Sequence, residues 1–479
     1  MPKFVFLWTD VAIWALLATL VLYAVFVIRS PGLARNWRRV FSDPAALASS
    51  VVLMLCLLVT LLDSVHYRRV LPAAAGSSNA SVAYDVRTIS LLDAAMSNQV
   101  ASREASYSRP LAYVGFMKES IEVAGKVERL PPRLVHGGAH LQNPEAQWAG
   151  DVAMRVALGV LSGLAATVIL AAALTASLAR HRKEAWAVTL RSIVNGGGVI
   201  PWHVALRTTA VLAVLIGATA ALMAQYHVFG TDRTGNDVLY QALKSIRTAF
   251  VIGTLATVAT LPLAVVLGIM AGYFKGWVDE AIQYLYTVLS SVPNVLLIAA
   301  CVLMVQVFLD KHPELFETGV ERADLKLFLL CLVLGLTGWA GLCRLLRGET
   351  LKLRELEYVQ AATAFGVSHT RIMVRHIFPN VAHLMLIVTV LDFSALILYE
   401  AVLSYVGVGV DPSMNSFGGM INLARNEMSL DPIVWWSFAA AFGFMVTLVL
   451  AANLFADGVR DAFDPRASTF RVRLKRAAT

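Results

Sequence analysis

The strongest constraint on this chain is one it repeats: runs of some 20 or more predominantly apolar residues recur from end to end. The stretch 152–179 carries a single charge, Arg155. A bilayer core about 30 Å thick is crossed by about 20 helical residues. Inside it the backbone has no water to bond, so the spanning element must be a helix or a closed barrel. Nine such runs are read: 4–28, 46–65, 152–179, 206–226, 247–272, 279–309, 326–347, 381–406 and 433–456. Composition agrees, with 58% hydrophobic and 15% charged residues, against about 25% charged in soluble chains. The expected fold class is therefore an all-α membrane protein of about nine spans. The N-terminal run is too long for a signal peptide, has no small-residue cleavage site after it, and is read as a retained membrane helix.

The short loops set an expected orientation, because Lys and Arg accumulate on the cytoplasmic side. Loop 29–45 holds Arg29, Arg35, Arg38 and Arg39 against Asp43, and loop 180–205 holds Arg180, Arg182, Lys183 and Arg191 against Glu184. Loop 348–380 and the tail after Phe455 are basic too, the tail through Arg460, Arg466, Arg471, Arg473, Lys475 and Arg476. Nine spans put all four segments on one side, with the N-terminus outside and the C-terminus in the cytoplasm. Loops 310–325 and 407–432 are acidic and fall outside, the first through Glu314, Glu317, Glu321 and Asp324. So does the polar segment 66–151, in which Ile89–Val100 and Leu111–Val127 read as short helices and Pro131, Pro132, Gly137 and Gly138 mark a loop. The expected organisation is two spans in 1–65, an extracytoplasmic insertion 66–151, an extra span with a basic loop in 152–205, a membrane core 206–466 and a basic tail 467–479.

The net charge of +8 is spread over several loops and forms no single basic face, which argues against nucleic acid. Cys56, Cys301, Cys331 and Cys343 lie in or beside apolar runs without a CxxC pair, and read as small packing residues. His369, His376 and His383 recur every seven residues, but no acid or cysteine completes a metal site. No GxxxxGK[ST] loop occurs, since the one Gly-Lys pair, Gly125-Lys126, is followed by Val127. The chain is not expected to bind ATP, a metal or another cofactor, or to be an enzyme.

Loop 348–380 is not an ordinary connection. Leu353, Leu356, Val359, Ala362 and Phe365 recur at near-helical spacing as one expected apolar stripe. Gly366 then permits a sharp turn, Ser368 is placed to cap a second helix, and Pro379 ends the pattern before the next span. Ala361 and Ala362 are small enough for another surface to approach closely. The pattern predicts helix, glycine turn and helix, a docking element.

At these residues the chain resembles a known family. Glu357-Tyr358-Val359-Gln360-Ala361-Ala362, then Gly366, Arg371-Ile372 and His376-Ile377-Phe378-Pro379-Asn380, is similar to the EAA loop of ABC importer permeases in its peptide/nickel form. Gln360 stands where the general signature has Glu. Further segments follow in the family's order: His227 to Leu239 with Gly230-Thr231-Asp232, Gly272 to Glu280, Tyr399 to Gly409, and Asn453 to Asp461 with Asp464-Pro465-Arg466. Arg38 to Val65 resembles the first span of such subunits. The resemblance is to the C-type permease of the oligopeptide/dipeptide/nickel importers. It implies a type I importer core of six spans, five C-terminal ones plus one leading into them, in a bacterial inner membrane. It also implies a homologous second permease, two ABC ATPase subunits that bind ATP and Mg, and an extracytoplasmic solute-binding protein. On that reading Glu357, Tyr358, Ala361, Ala362, Gly366, Arg371, His376 and Pro379 couple the chain to the ATPase. Span 4–28, segment 66–151 and the spans after it are additions to the family pattern.

Three residues inside the runs are candidates for the pathway or its gating. Asp392 and Glu400 are ionisable at membrane depth, which defaults to a functional reading, and lie about 80° apart around a helix. Hydrogen bonding to a neighbouring helix is the favoured reading for Glu400. Pro293 would kink the sixth run, with Ser290 or Ser291 satisfying a freed carbonyl. Two other classes are weighed: an ion-coupled secondary transporter using Asp392 and Glu400, and a scaffold or sensor with 66–151 as its ligand domain. The first predicts paired broken helices in two inverted halves, which the runs do not show. The docking loop argues against the second.

Overall fold

The computed structural model describes residues 2–71, 84–123 and 126–463. Gly125, the motif residues Asp464, Pro465 and Arg466, and the tail 467–479 lie outside the described residues. In chain order the elements are β1 (Lys3–Val5), α1 (Trp8–Arg29), α2 (Pro31–Val40), α3 (Pro44–Asp63), β2 (His66–Val70), β3 (Tyr84–Ser90), α4 (Leu91–Ala95), α5 (Ser97–Ala101), β4 (Glu119–Val123) and β5 (Lys126–Leu130). There follow α6 (Pro144–Arg182), α7 (Trp186–Val194), α8 (Trp202–Met223), α9 (Val238–Phe274), α10 (Gly276–Ser291), α11 (Asn294–Lys311), α12 (Gly319–Gly338) and α13 (Ala340–Arg354). The last are α14 (Glu357–Ala364), α15 (His369–Ile372), α16 (Phe378–Tyr405), α17 (Phe417–Glu427) and α18 (Trp436–Phe463).

Among the described residues eight helices are long and apolar enough to cross a bilayer, or nine if the pair α12–α13, bent by 40°, is one span. Seven of the nine expected runs each lie in one helix, with shifted limits, and the seventh run, 326–347, straddles the bent pair α12–α13. α6 and α9 start well ahead of 152 and 247, because hydropathy marks only the hydrocarbon part of a helix that continues into polar surroundings. The sixth run is corrected: Val292 is extended and Pro293 is the N-cap of α11, so 279–309 is two helices and Pro293 separates them instead of kinking one. A second correction falls on Leu111–Val127, part of which is the antiparallel pair β4–β5, Glu119 opposite Leu130 and Val123 opposite Lys126. Strands also occur as a sheet in the order β1-β2-β3, with His66 opposite Ser90 and a bulge between Arg68 and Val70. The expected helix in Ile89–Val100 is present as α4 and α5.

The chain packs as two compact units. One comprises Met1–Phe4, Arg38–Arg247 and Asn415–Ala451. In it α6 lies along α8, because Gly159 and Gly163 leave no side chain between them: a methyl on either would strike the α8 backbone at Gly217–Ala218 or Ala213–Val214. Segment 84–141 is tied to the loop after α8 by buried charge. Glu104 accepts the N–H groups of Val135, His136 and Gly137 at 2.9, 2.8 and 3.0 Å, and its carboxylate lies 3.6 Å from Nε2 of His227. The other ring nitrogen of His227 is 2.8 Å from Asp237. Nearby, Lys244 pairs with Asp93 at 2.7 Å and Asp63 at 3.4 Å. Trp436, 1% exposed, donates Nε1–H to the Thr231 carbonyl at 2.9 Å and meets Phe116 edge-on.

The other unit comprises Val5–Trp37, Thr248–Met414 and Ala452–Thr479. Its core is built around α9, α13 and the segment 359–381, with Leu346, Val359, Ile372, Ile377 and Val381 buried. α9 and α13 approach closely at Gly268 and Gly272. A methyl on Gly268 would sit 2.9 Å from the Cys343 carbonyl oxygen, and one on Gly272 2.6 Å from Thr350 Cβ. α1 is anchored to α12: the Thr9 N–H donates to fully buried Asp324 at 3.0 Å and the Thr9 hydroxyl to its other oxygen. The reading of Asp324 as a loop charge is thereby corrected.

Candidate coupling loop

The loop 348–380 forms helix, glycine turn and helix, as its pattern predicts, but its apolar stripe splits. α13 ends at Arg354, Leu356 is extended, and α14 starts at Glu357. Val359 is 1% exposed and joins the core with Leu353, Ala362 and Val367, whereas Leu356 and Tyr358 are exposed and Phe365 is 87% exposed. The loop thus holds itself by Val359 and Ala362 and presents a separate apolar tip.

The turn has a defined chemistry. The Val367 N–H donates to the Ala362 carbonyl at 3.1 Å and the Gly366 N–H to the Thr363 carbonyl at 3.0 Å. These are the two bonds of a Schellman motif, and Gly366 occupies its left-handed position with φ +75°. Ser368 stands at the N-cap of α15 but makes no side-chain capping bond, which corrects its expected role. α15 runs through a π turn, Met373–Ile377, into α16. Pro379 lies in the first turn of α16. There its missing N–H costs nothing, so it opens the span, contrary to its expected role of ending the pattern.

The turn between α9 and α10 braces the loop. Lys275 Nζ lies 2.8 Å from Glu355 Oε1, and this bond to the ammonium holds the Glu355 carboxyl below its usual range. The Tyr273 hydroxyl is 2.8 Å from His369 Nδ1, and Arg354 donates to the Tyr273 carbonyl at 2.6 Å. Tyr273, Phe274 and His369 meet edge-on. His376 packs near the ring of Tyr358, and Asn380 donates to the Tyr358 hydroxyl at 3.3 Å. Tyr273, Lys275 and Arg354 escaped the sequence reading as parts of this site; the turn at 272–280 was visible, but not the side of the loop it touches.

Of the expected coupling residues, Glu357, Tyr358, Ala361, Gly366, Arg371 and Pro379 are exposed, His376 is half-buried and Ala362 packs against the core. The structure does not bring all three pathway candidates together. Glu400 is fully buried and accepts the Ser404 hydroxyl at 2.6 Å, one turn on. Asp392 is half-buried two turns away on α16, and Pro293 is exposed, next to Asn294, which donates to the Tyr399 hydroxyl at 3.4 Å.

Residues 264–469 match the family described as the binding-protein-dependent transport system inner membrane component. The oligopeptide transport system permease protein OppC of Mycobacterium tuberculosis is 33% identical over 245 residues, 51% of this chain and 78% of that protein. OppC of Escherichia coli is 29% identical, covering 52% and 76%. The dipeptide transport system permease protein DppC of Lactococcus lactis is 31% identical, covering 50% and 64%. A chain from the inward-facing MetNI methionine ABC transporter aligns over 46% of this chain and 93% of its own at a TM-score of 0.34 and 16% identity, too loose a likeness to bear an argument. A helical chain with eight or nine candidate spans among its described residues and these relatives is a multi-pass inner-membrane transport subunit. It belongs to the binding-protein-dependent permeases and, within them, to the C-type subunits of the oligopeptide permease group. As a permease subunit of an ABC importer it has no catalytic activity or cofactor of its own; ATP binds the ATPase partner, and a binding protein belongs to the same kind of system. That membership decides against the ion-coupled carrier and the scaffold.

Proposed function

We propose that this chain forms one half of the translocation pathway of an importer for oligopeptides or dipeptides, and that loop 348–380 is the surface through which a cytoplasmic ATPase drives it. The observation that carries the coupling role is the division of labour in α14: Val359 and Ala362 fasten the helix to the core while Tyr358, Ala361 and Phe365 face outward. Arg371, exposed and free of hydrogen bonds or ion pairs among the described residues, adds a charge at the same rim. An apolar tip with a polar margin on a rigid turn is what a docking groove accepts. ATP closes the ATPase pair, the loop moves with its groove, and the packed spans switch between inward and outward access as rigid bodies. A homologous permease supplies the other half of the pathway, two ATPase subunits dock beneath, and an extracytoplasmic binding protein delivers the solute.

The peptide cargo rests on the relatives named for oligopeptide and dipeptide transport. The topology rests on the basic loops: N-terminus outside, 66–151 outside, loop 348–380 and the C-terminus in the cytoplasm. Half-buried Asp392 is the candidate for the pathway wall, and Glu400, buried against Ser404, is a packing residue. The test is reconstitution of the permease pair with its ATPases and binding protein. ATP-dependent uptake of a labelled peptide, abolished by Gly366→Pro together with loss of ATPase association, is the expected result. Unchanged association in Gly366→Pro overturns the docking role, and uptake of nickel but not peptide overturns the cargo.

A further inference from the structure

Polar groups collect at the break between α10 and α11. α10 ends at Ser291, Val292 is extended, and Pro293 opens α11. The carbonyls of the last turn of α10 have no further helical N–H to meet, and the Ser291 hydroxyl serves one of them, that of Val288, at 2.7 Å. Ser290, Ser291, Val292, Pro293 and Asn294 are all exposed. Two neighbouring helices bring polar side chains to the same place. From α16 the Tyr399 hydroxyl accepts the Asn294 amide at 3.4 Å, and from α13 Arg344 donates to the Ser290 hydroxyl at 2.6 Å. Tyr399 is six residues, about 9 Å, short of the end of α16, so the break lies at a depth that α16 crosses as a candidate span. Asp392 lies on the Tyr399 side of α16, because seven residues turn a helix to within about 20° of two full turns. It stands near the middle of the helix, half-buried, and makes no hydrogen bond or ion pair among the described residues. Further along α11 the exposed side chains Leu303, Met304 and Val307 are apolar.

Hydrocarbon does not tolerate such a face. Interrupted backbone at membrane depth persists only where protein covers it or a water-filled path reaches it, and an ionisable residue in mid-span obeys the same rule. We propose, resting on the pathway role given above, that this face is the wall along which the peptide moves: its main chain bonds to Ser290, Asn294 and Tyr399, and its terminal ammonium comes to Asp392. Hydroxyl and amide groups both donate and accept, so they suit a main chain whatever side chains it carries. Asp392 has no counter-charge from this chain among the described residues, and the ammonium is the cation that every peptide with a free amino terminus brings. A second permease packed permanently on this face would have to present donors in fixed register to the open carbonyls; water and a moving peptide need no register.

Cys301 is the partly exposed native cysteine and the other three are buried, so the test uses the Cys301→Ser chain, assembled in proteoliposomes with its second permease, ATPases and binding protein. There Ser291→Cys and Asn294→Cys should react with water-soluble methanethiosulfonates, and Met304→Cys should not. Asp392→Asn should lower the ratio of the cationic to the anionic reagent's rate at Asn294→Cys by roughly three- to ten-fold. Asn294→Ala with Tyr399→Phe should lower peptide uptake about ten-fold, through loss of two neutral hydrogen bonds, and leave ATPase association intact. Ser291→Cys and Asn294→Cys as slow to react as Met304→Cys would mean that the second permease covers the face, and overturns the wall. A rate ratio unmoved by Asp392→Asn overturns the ammonium contact. The cysteine rates decide if the double variant does not fold. Failure of the wild-type complex to import peptide counts against the pathway role itself; normal import by wild type, unchanged in a folded Asn294→Ala and Tyr399→Phe chain, overturns this wall alone.

Discussion

Gly366 and Phe365 show how little of the proposed coupling surface depends on bulk. A methyl on Gly366 would meet nothing within 4 Å, so any penalty there is the left-handed backbone alone, about 1–2 kcal/mol for an ordinary residue. Gly366→Asn should keep ATPase association and Gly366→Val should weaken it, measured by pull-down of the assembled complex; equal behaviour of the two would remove the turn from the mechanism. Phe365→Ser should leave the thermal midpoint of the chain unchanged and lower ATPase affinity by about 2 kcal/mol, since an exposed aromatic contributes only when a partner covers it. His227 is the opposite case. Burial works to lower its pKa, but the hydrogen bond to Asp237 and the Glu104 carboxylate 3.6 Å from the other ring nitrogen outweigh it and hold the imidazole up at about 9. Burial likewise pushes Glu104 up, yet His227 and the N–H groups of Gly137, His136 and Val135 bring it down to about 2. A raised His pKa stabilises fully below the ordinary value near 6.5 and is lost as pH rises through about 9; a depressed Glu stabilises above its ordinary value and is lost as pH falls toward 2. Hydrogen exchange of 100–123 and 126–140 should therefore be slowest at about pH 5–6.5 and quicken, beyond its intrinsic rise with pH, as the pH climbs from about 6.5 to about 9, by roughly 3 kcal/mol in opening energy. His227→Gln should remove that dependence.

At the scale of elements, the chain uses glycine where two helices must touch. Gly272 faces the α13 backbone while Gly348, on α13 itself, faces open space. The two should respond with opposite signs to the same change. Gly272→Ala forces the helices apart and should lower the unfolding midpoint in detergent, by about 1–3 kcal/mol. Gly348→Ala should raise it by up to about 1 kcal/mol through helix propensity. The sequence showed both glycines equally; only packing separates them. The coupling loop teaches the same lesson. Its residues spell a continuous stripe from Leu353 to Phe365, yet the chain is extended at Leu356, and Leu353, Val359 and Ala362 face the core while Leu356 and Phe365 are exposed. Periodicity cannot register a break that leaves the spacing nearly unchanged. Nor could it tell β4 and β5 from helix in a short segment that mixes polar and apolar residues.

For the whole molecule, the segments expected to be additions to the family pattern are tied to the rest by buried polar contacts. α1 is fastened to α12 through Thr9 and Asp324, and segment 84–141 is fastened to the loop after α8 through Glu104, His227 and Asp237. Both anchors are buried charges, which tolerate loss of a partner poorly. The proposed topology makes a direct prediction. Cysteine placed at Lys118 should react with a membrane-impermeant maleimide on intact spheroplasts, and cysteine at Arg371 should react only after permeabilisation. Reaction of both from outside would reverse the arrangement on which the proposed ATPase docking depends.

The nine apolar runs, their basic loops and the ordered motifs from His227 onward were enough to define a membrane permease and the helix, glycine turn and helix of loop 348–380, because hydrophobic length and glycine geometry are local properties of the chain. The rest lies in contacts between distant residues. Asp324 counts as a loop acid until Thr9 meets it, Tyr273 and Lys275 belong to a turn until His369 and Glu355 lie against them, and Pro293 reads as a kink until the backbone on either side ends one helix and begins another. Burial and partner are set by which helices pack together, and no spacing along the chain encodes that.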